Sequence, residues 1–233
     1  MCAANQNPRT RYLNLLDRIQ VACDRAGREH ESVRLLAVSK KQPASAVRAL
    51  HALGQRAFGE NYVDEALTKM ASLDDLNIEW HFIGPIQSNK TRLIAEHFDW
   101  VQSVDREKIV RRLAAQRPDA ATPLNILLQV NLDDEAQKAG CRPDELADLA
   151  AAVAAEPRLC LRGLMAIPAP RDDSRAQKQV FDLLAEQLAA LKPRHSKADC
   201  LSAGMSGDLE AAIAAGSTLV RVGTDLFGPR PSA

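Results

Sequence analysis

The chain has no excess of charge of either sign. Its 233 residues include 30 basic and 30 acidic side chains, so the formal net charge at pH 7 is zero. Proteins that bind nucleic acid through a broad surface carry a basic patch or stripe. A local cluster of basic residues within 106–112 is interpreted as the solvated face of a helix. The composition therefore argues against a nucleic-acid partner.

The sequence also lacks the spacings of common cysteine and histidine sites. Its five cysteines are odd in number and never form a C-x-x-C pair, and its five histidines never form H-E-x-x-H. These absences argue against a disulfide framework and against a cysteine-based zinc site. We expect no bound metal.

Long apolar runs are missing as well. No apolar run reaches about 18 residues, the length that a transmembrane helix needs. The first residues also lack the basic segment followed by an apolar segment that marks a signal peptide. We expect a soluble cytoplasmic protein that makes no membrane contact. Apolar residues make up 46% of the chain, which is enough for a packed core. We expect one domain over 1–233, with 1–8 and 229–233 as flexible tails.

The chain does contain a regular alternation of short apolar runs and helical periodicities. An amphipathic helix over 10–26 precedes the first strand. Strands are predicted at 34–39, 56–59, 79–83, 99–103, 124–130, 159–165, 199–202 and 218–222. Helices between them are predicted at 44–53, 62–73, 88–97, 105–116, 143–155, 173–192 and 206–215. This α/β order is typical of a single-domain (β/α)8 barrel of the TIM type. A doubly wound open sheet is the alternative, because alternation does not show closure.

One lysine is notable for its position. Lys40 ends the apolar run that begins at Leu35, and the chain turns at Pro43. Its amine is therefore expected at the carboxyl end of the first strand, in the barrel mouth. Partial desolvation there lowers the pKa of an amine and frees the form that makes a Schiff base with an aldehyde. Lys41 is expected to point to the opposite side, into solvent.

The last two strands end in glycine-containing turns that suit an anion. One turn contains Gly204 and Ser206, with a helix expected to start at Ser206, and the other contains Gly223 and Thr224. In such barrels a phosphate commonly lies at the loops after strands 7 and 8. The alternative is that Ser206 only caps its helix and the glycines only make tight turns. Because both turns are expected across the barrel mouth from Lys40, we favour a phosphorylated aldehyde as the ligand.

The residues around these points resemble the pyridoxal phosphate homeostasis protein family. The resemblance is carried by AVSK (37–40), FGENYVDEA (58–66), WHFIGPIQSNK (80–90), RGLMAIP (162–168), LSAGMSGDLEAAIAAGST (201–218) and VRVGTDLFG (220–228). It implies a barrel like the N-terminal domain of alanine racemase, of the PLP fold-type III kind. It also implies pyridoxal 5′-phosphate (PLP) held as a Schiff base on Lys40, with a role in intracellular PLP homeostasis and in supplying PLP to apo-enzymes.

The resemblance further implies that Arg221 faces the pyridine nitrogen of PLP. A permanent cation discourages protonation of that nitrogen, so the ring is a weaker electron sink than one paired with Asp or Glu. The alternative reading of Arg221 is an ion pair at the barrel end. Asn61 would hydrogen-bond the ring hydroxyl or order the lysine, and Met165 is either a wall under the ring or an ordinary barrel residue. His81 is favoured as a satisfied core histidine.

The implied cofactor-binding set extends beyond these residues. It comprises Lys40, Asn61, Met165, Ser202, Gly204, Met205, Ser206, Arg221, Gly223 and Thr224. Lys138 is expected to have no more than an electrostatic role. Three positions depart from the family pattern. Ala203 stands where a larger apolar residue is usual, Gly207 loosens a helix start, and Asp225 puts a negative charge near the anion site.

The function expected from this resemblance is a carrier and not an enzyme. Alanine racemases have a second, β-rich domain that supplies a tyrosine acid/base, whereas Tyr12 and Tyr62 are the only tyrosines here. Three alternatives stay open: a single-domain PLP racemase, a Schiff-base aldolase on a phosphorylated substrate, or a barrel with a vestigial site that serves protein contact. We expect a monomer whose partners are PLP and apo PLP-dependent enzymes.

Overall fold

Eight parallel strands close into a barrel in which each strand pairs with the next and the last pairs with the first. The computed structural model describes residues 7–133, 139–171 and 173–228. The strands are β1 Arg34–Val38, β2 Ala57–Glu60, β3 Glu79–Phe82, β4 Trp100–Val104, β5 Leu124–Gln129, β6 Leu159–Met165, β7 Cys200–Ser202 and β8 Leu219–Val222. The helices are α1 Pro8–Arg25, α2 Ala44–Ala52, α3 Val63–Ala71, α4 Thr91–His97, α5 Glu107–Gln116, α6 Leu146–Ala154, α7 Ser174–Leu191, α8 Leu209–Ala214 and α9 Thr224–Phe227.

The predicted (β/α)8 barrel with a helix ahead of its first strand is confirmed, and the open-sheet alternative is wrong. Closure also corrects one expectation about the mouth. Leu36 of β1 pairs with Arg221 of β8, so the turn after β8 lies beside the end of β1 and not across from it.

One predicted boundary on a functional element is wrong, and one helix was missed. The helix expected from Ser206 begins at Leu209, because the Asp208 carboxylate accepts a hydrogen bond from the Met205 N–H at 2.6 Å and stabilises a turn instead. Gly207 in that turn also has a poor helix propensity. The short helix α9 was not predicted. It starts directly at Thr224, the residue after the predicted Gly223 turn.

The amino end of the described chain is helical from Pro8, a residue predicted to be in a flexible tail. The Asn7 side chain accepts a hydrogen bond from the Arg9 N–H at 3.0 Å, and Pro8 suits the first helical position. Residues 1–6 and 229–233, also predicted as tails, lie outside the described residues, as does Lys138.

The core has two parts, set by the alternation of side chains along each strand. One cluster fills the barrel interior and comprises Leu36, Ala57, Trp100, Leu127, Met165, Cys200 and Leu219. A larger cluster lies between the strands and the surrounding helices and includes the fully buried Phe58, Phe82, Phe98 and Phe181. The barrel interior is therefore packed with side chains, as is typical of this class of barrel.

One glycine is required for closure of the barrel. The register between β5 and β6 shifts next to Gly163, whose φ is +140°. A Cβ at that position would lie 1.9 Å from the carbonyl oxygen of Cys200 on β7. Only glycine permits this approach of β6 to β7.

Helix α1 ties the start of the described chain to its end. Arg11 donates hydrogen bonds to the carbonyl oxygens of Leu226 and Phe227 in α9, each at 3.0 Å. Among the helices described, none combines the length and apolar character that crossing a membrane requires.

Candidate functional site

The carboxyl ends of the parallel strands meet at one end of the barrel, here called the mouth. Lys40 follows β1, Asn61 follows β2, Met165 ends β6, and Ser202 ends β7. Arg221 is the third residue of the four in β8. Met165 pairs in register with Ser202, so both lie at the same level. The structure therefore gathers the strand-end residues that the sequence predicted, although it leaves their contacts with a ligand as a proposal.

Lys40 and Lys41 lie in different surroundings, as expected. Lys40 is half-buried, whereas Lys41 is exposed. Lys41 has a φ of 59°, in the left-handed region that non-glycine residues seldom occupy. The preceding Ser39 is fully buried. Residues 39–41, here called the Lys40 loop, therefore make a sharp turn at the mouth.

A chain of hydrogen bonds runs through the barrel interior and ends at Arg221. Arg221 Nη1 donates to Ser202 Oγ at 2.8 Å, and Ser202 Oγ donates to Gln102 Oε1 at 2.7 Å. Gln102 Nε2 lies 2.8 Å from His81 Nδ1, and His81 Nε2 lies 2.7 Å from Glu79 Oε1. We call Glu79, His81, Gln102, Ser202 and Arg221 the polar column.

The direction of donation along the polar column assigns the proton on His81. An amide nitrogen only donates, so Nδ1 of His81 must accept from Gln102, and the ring proton must sit on Nε2 and point at Glu79. The His81 ring is fully buried and stacks on Trp100 with centroids 5.2 Å apart. His81 thus has a partner on each nitrogen, which agrees with its interpretation as a satisfied core histidine.

Burial and neighbouring charges fix the charge state of the polar column. Burial lowers the pKa of His81, so the ring is neutral at pH 7. Burial raises the pKa of Glu79, but the hydrogen bond from His81 and the nearby Arg34 guanidinium outweigh it and bring that pKa to about 2. Burial lowers the pKa of Arg221 to about 10, which leaves it a cation. The column therefore has an anion at one end and a cation at the other.

Some N–H donors of Arg221 make no hydrogen bond with the described residues. Besides Ser202 Oγ, its guanidinium donates to the carbonyl oxygen of Ala166 at 2.9 Å, and the residue is only 4% exposed. These contacts use two of its five N–H donors. Within the part of the chain that the structure describes, no carboxylate forms an ion pair with it. The alternative of a barrel-end ion pair is thus unsupported there, and a buried cation of this kind requires further acceptors.

The loop after β7 differs from the expected helix start. Gly204 is buried with a φ of +95°, and a Cβ there would lie 2.7 Å from Cβ of Ala212. Met205 is 37% exposed, and its N–H is taken by Asp208. Ser206 is half-buried in the turn and is not the N-cap of α8, which is Asp208. The interpretation of Ser206 as a helix cap is therefore wrong.

The loop after β8 leads straight into α9. The first N–H groups of a helix have no partner within it, so the amides near Thr224 are available to a ligand. Gly223 has a packing role that the sequence did not reveal, because a Cβ there would lie 3.3 Å from the carbonyl oxygen of Val38 in β1. Thr224 is exposed. We call 203–208 and 223–225 together the anion loops.

Arg18 of α1 joins the two anion loops. Its guanidinium donates to the Ser206 carbonyl oxygen at 2.8 Å, pairs with Glu210 at 2.5 Å, and pairs with Asp225 at 3.0 Å. The negative charge of Asp225, expected to oppose an anion, is thus offset by a neighbouring cation. A Cβ at Gly207 would have no neighbour within 4 Å, so this departure from the family pattern leaves the packing intact.

Asn61 has a buried polar atom without a partner among the described residues, whereas Met165 is buried among apolar side chains. Oδ1 of Asn61 is buried and has no hydrogen-bond partner among the described residues, which is expected of a group that awaits a donor. Met165 is fully buried in the interior cluster, as an ordinary barrel residue would be. Contact of Met165 with a ligand stays a prediction.

Two polar groups in this region were missed from the sequence. Gln102 is fully buried in the polar column, and a lone amide in the apolar strand Trp100-Val101-Gln102-Ser103-Val104 could have signalled it. Lys69 is 5% exposed and lies on the core face of α3, three residues after the buried Ala66. A charge at a core position of an amphipathic helix is the signal that could have identified it.

Comparison with known proteins agrees with this geometry. Residues 14–231 match the family model described as alanine racemase, N-terminal domain. The pyridoxal phosphate homeostasis protein of Pseudomonas aeruginosa is 58% identical over 213 residues, which cover 91% of each chain. The protein of the same name from Escherichia coli is 54% identical over 217 residues, covering 92% of this chain and 93% of the relative.

A solved relative superposes closely on the barrel. The structure of PipY from Synechococcus elongatus with PLP bound has a TM-score of 0.77 and 38% sequence identity. It covers 84% of this chain and 93% of that chain.

The neutral state of buried His81 predicts a pH dependence of stability. In the unfolded chain this histidine has the ordinary pKa of about 6.5. In the folded protein its pKa is lower, so the ring takes up a proton only at lower pH. Stability should therefore fall as the pH drops below that value, by up to about 1.4 kcal/mol per pH unit. In urea unfolding between pH 6.5 and 5.5, H81Q should lose less stability than the wild type. H97Q, which removes an exposed histidine, is the control and should follow the wild type. Equal slopes for H81Q and the wild type would contradict the assignment.

Proposed function

We propose, because the chain belongs to the pyridoxal phosphate homeostasis protein family, that it binds PLP at the mouth of its barrel and holds it as a Schiff base on Lys40. The observation that carries the proposal is the buried Arg221 cation, which keeps unused N–H donors at the end of the barrel where the half-buried Lys40 lies. The related PipY has been solved with PLP bound, which supports the same ligand here.

The residues at the mouth fit the chemical groups of PLP. A pyridine nitrogen can accept one of the remaining Arg221 donors, and a ring hydroxyl can donate to the unpartnered Oδ1 of Asn61. When bound, PLP supplies an aldehyde whose carbon bonds to the Lys40 nitrogen, with the aldehyde oxygen released as water. Lys40 must lose a proton before its nitrogen can bond to that carbon.

The phosphate is assigned to the anion loops. In barrels of this class the phosphate site uses the loops after strands 7 and 8 and the start of a short extra helix, and α9 is such a helix. Its amides near Gly223 and Thr224, the Thr224 hydroxyl and the Ser206 segment would hold the anion. Arg18 contributes by joining the two loops from behind.

Arg221 favours a carrier over an enzyme. A guanidinium cannot take up a proton, and it discourages protonation of the ring nitrogen that it faces. The ring is then a weak sink for the electrons released when an amino acid loses its α-proton. Hydrogen bonds to Ser202 Oγ and to the Ala166 carbonyl oxygen hold the Arg221 guanidinium in place. We therefore propose that the protein stores and supplies PLP, with apo-enzymes as recipients. A cytoplasmic location and a monomeric state stay predictions from the sequence.

A racemase or an aldolase is the competing proposal. The family model that matches the chain takes its description from alanine racemase, so an amino acid could in principle be processed at the same site. A Schiff-base aldolase would use Lys40 on a substrate and would not retain PLP. The experiments below separate these functions.

Lys40 is expected to carry the PLP. Reduction of the PLP-loaded protein with borohydride, followed by peptide mapping, should place the pyridoxyl group on Lys40, because Lys40 is half-buried at the mouth whereas Lys41 is exposed. K40A should lose the labelling, and K41A, which removes the exposed neighbour, should retain it. A pyridoxyl group on Lys41, with K40A unaffected, would overturn the assignment.

Thr224 is expected to discriminate PLP from pyridoxal, which lacks the phosphate. T224V removes a hydroxyl donor to a dianion and should weaken PLP about tenfold or more, while pyridoxal binding stays unchanged. Gly223 is a poorer position for this test, because a side chain there would press on Val38 and disturb the Lys40 loop as well. Spectral titration of both ligands measures the effect, with T68V on the exposed face of α3 as the control. Equal losses for both ligands would place the phosphate elsewhere.

Amino acids are expected to react at the site without turnover. L-Alanine, L-serine or L-glutamate should change the spectrum of the PLP-loaded protein by exchanging with the Lys40 amine, but Arg221 should prevent useful loss of the α-proton. Chiral chromatography should find no D-enantiomer, and a keto-acid assay should find no product. Racemisation at an enzymatic rate of about 1–10³ s⁻¹, lost in K40A, would show that the protein is an enzyme.

A further inference from the structure

A buried cluster of charged side chains lies outside the barrel wall, behind Lys40. Lys69 Nζ of α3 is 2.5 Å from Glu60 Oε1, 2.8 Å from Glu65 Oε1 and 2.7 Å from the carbonyl oxygen of Ser39. Glu60 is fully buried, and Lys69 is 5% exposed. The three acceptors satisfy all three donors of the ammonium group. We call Glu60, Glu65 and Lys69 the ion cluster.

The ion cluster forms hydrogen bonds with the residues on both sides of Lys40. Lys69 binds the Ser39 carbonyl oxygen, and the Ser39 hydroxyl donates to Glu60 Oε1 at 2.6 Å. On the other side, the Lys41 N–H donates to Glu65 Oε1 at 2.5 Å. Three hydrogen bonds from β2 and α3 therefore fix the Lys40 loop, including the left-handed turn at Lys41.

Stability alone does not account for the ion cluster. Burial raises the pKa of Glu60, against the opposing effect of Lys69, so desolvation of the carboxylate is incompletely compensated. Oε2 of Glu60 is buried without a hydrogen-bond partner among the residues described. Well-packed apolar side chains often stabilise such a position as well as an ion pair does, or better. Charged groups, unlike apolar ones, also form hydrogen bonds that hold the neighbouring backbone in a fixed geometry.

We propose that Lys69, Glu60 and Glu65 are positioning residues for Lys40, which hold its backbone so that the amine meets the aldehyde carbon. This inference rests on the proposed function and deepens it. Covalent bond formation is sensitive to misplacement, and a shift of about 1 Å can cost a factor of about a hundred in rate. The ion cluster touches neither the anion loops nor Arg221 in the contacts described. Its loss should therefore affect the step at Lys40 and spare non-covalent binding of the ring and phosphate.

The test compares PLP with pyridoxamine 5′-phosphate, which has the same ring and phosphate but carries an amine in place of the aldehyde and cannot bond to Lys40. In the variant K69M/E60Q, which removes both buried charges together, PLP should bind about tenfold or more weakly and react more slowly. Pyridoxamine 5′-phosphate should bind as it does to the wild type. K178M is the matched control, because it breaks an exposed ion pair with Asp182 on α7. It should leave both ligands unaffected.

Two further measurements keep the inference falsifiable. In a K40A background, adding K69M/E60Q should not change the residual affinity for PLP, since the coupled residue is gone. If K69M/E60Q does not fold, E65M, at a partly exposed position, should show a smaller loss that is again confined to PLP.

Equal losses for both ligands, or no loss for either, would overturn the positioning role. Failure of the proposed function has a different signature, because the wild type itself would then show no spectral change with PLP.

Discussion

The pairing of β8 with β1 is the constraint on which the site depends. It joins the two ends of the sheet and sets Leu36 opposite Arg221, although 184 positions of sequence separate them. Lys40 and Arg221 come from the first and last strands, and only closure makes them neighbours at one mouth. The bulge at Gly163 serves the same end, because it lets β6 approach β7 closely enough for the remaining strands to complete the ring.

The barrel interior solves a second problem, which is how to bury the Arg221 cation with no carboxylate paired to it among the described residues. The polar column separates the charges, with Glu79 at one end, Arg221 at the other, and neutral His81, Gln102 and Ser202 between them. Each neutral member donates in one direction and accepts from the other, so the hydrogen bonds reinforce one another in a medium of low dielectric. The Arg221 guanidinium near the mouth therefore stays positively charged, and its remaining N–H groups can donate hydrogen bonds to a ligand.

Sequence reasoning succeeded where a residue's role follows from local pattern. The eight strands were predicted to within one residue at each end because apolar runs bounded by polar residues determine them. Lys40, Ser202 and Arg221 lie at or near the ends of their strands, as the pattern predicts, and their contacts with a ligand stay a prediction. The reasoning failed for two other reasons. Asp208 delays α8 by accepting a hydrogen bond from the Met205 N–H three residues earlier, a local bond that competes with the helix and that the periodicity does not reveal. Helix α9 contacts Arg11, which lies 215 positions before Leu226, and a local window cannot show that contact. Gln102 and Lys69 were missed although each is a polar group at a core position, because partners such as Ser202 and Ser39 are distant in sequence.

The contacts of α1 imply an order of events during synthesis. Arg11 and Arg18 leave the ribosome with the first helix, but their partners in α8, α9 and the anion loops are among the last residues translated. Strand β1 likewise waits for β8 before its second edge is covered. A nascent chain can therefore build the ion cluster around the Lys40 loop early, from segments that are neighbours in sequence, but it cannot assemble the anion loops until its C-terminal strand and helix have emerged. On the proposed assignment, the Lys40 loop can therefore be fixed before the segments that would hold the phosphate have been made.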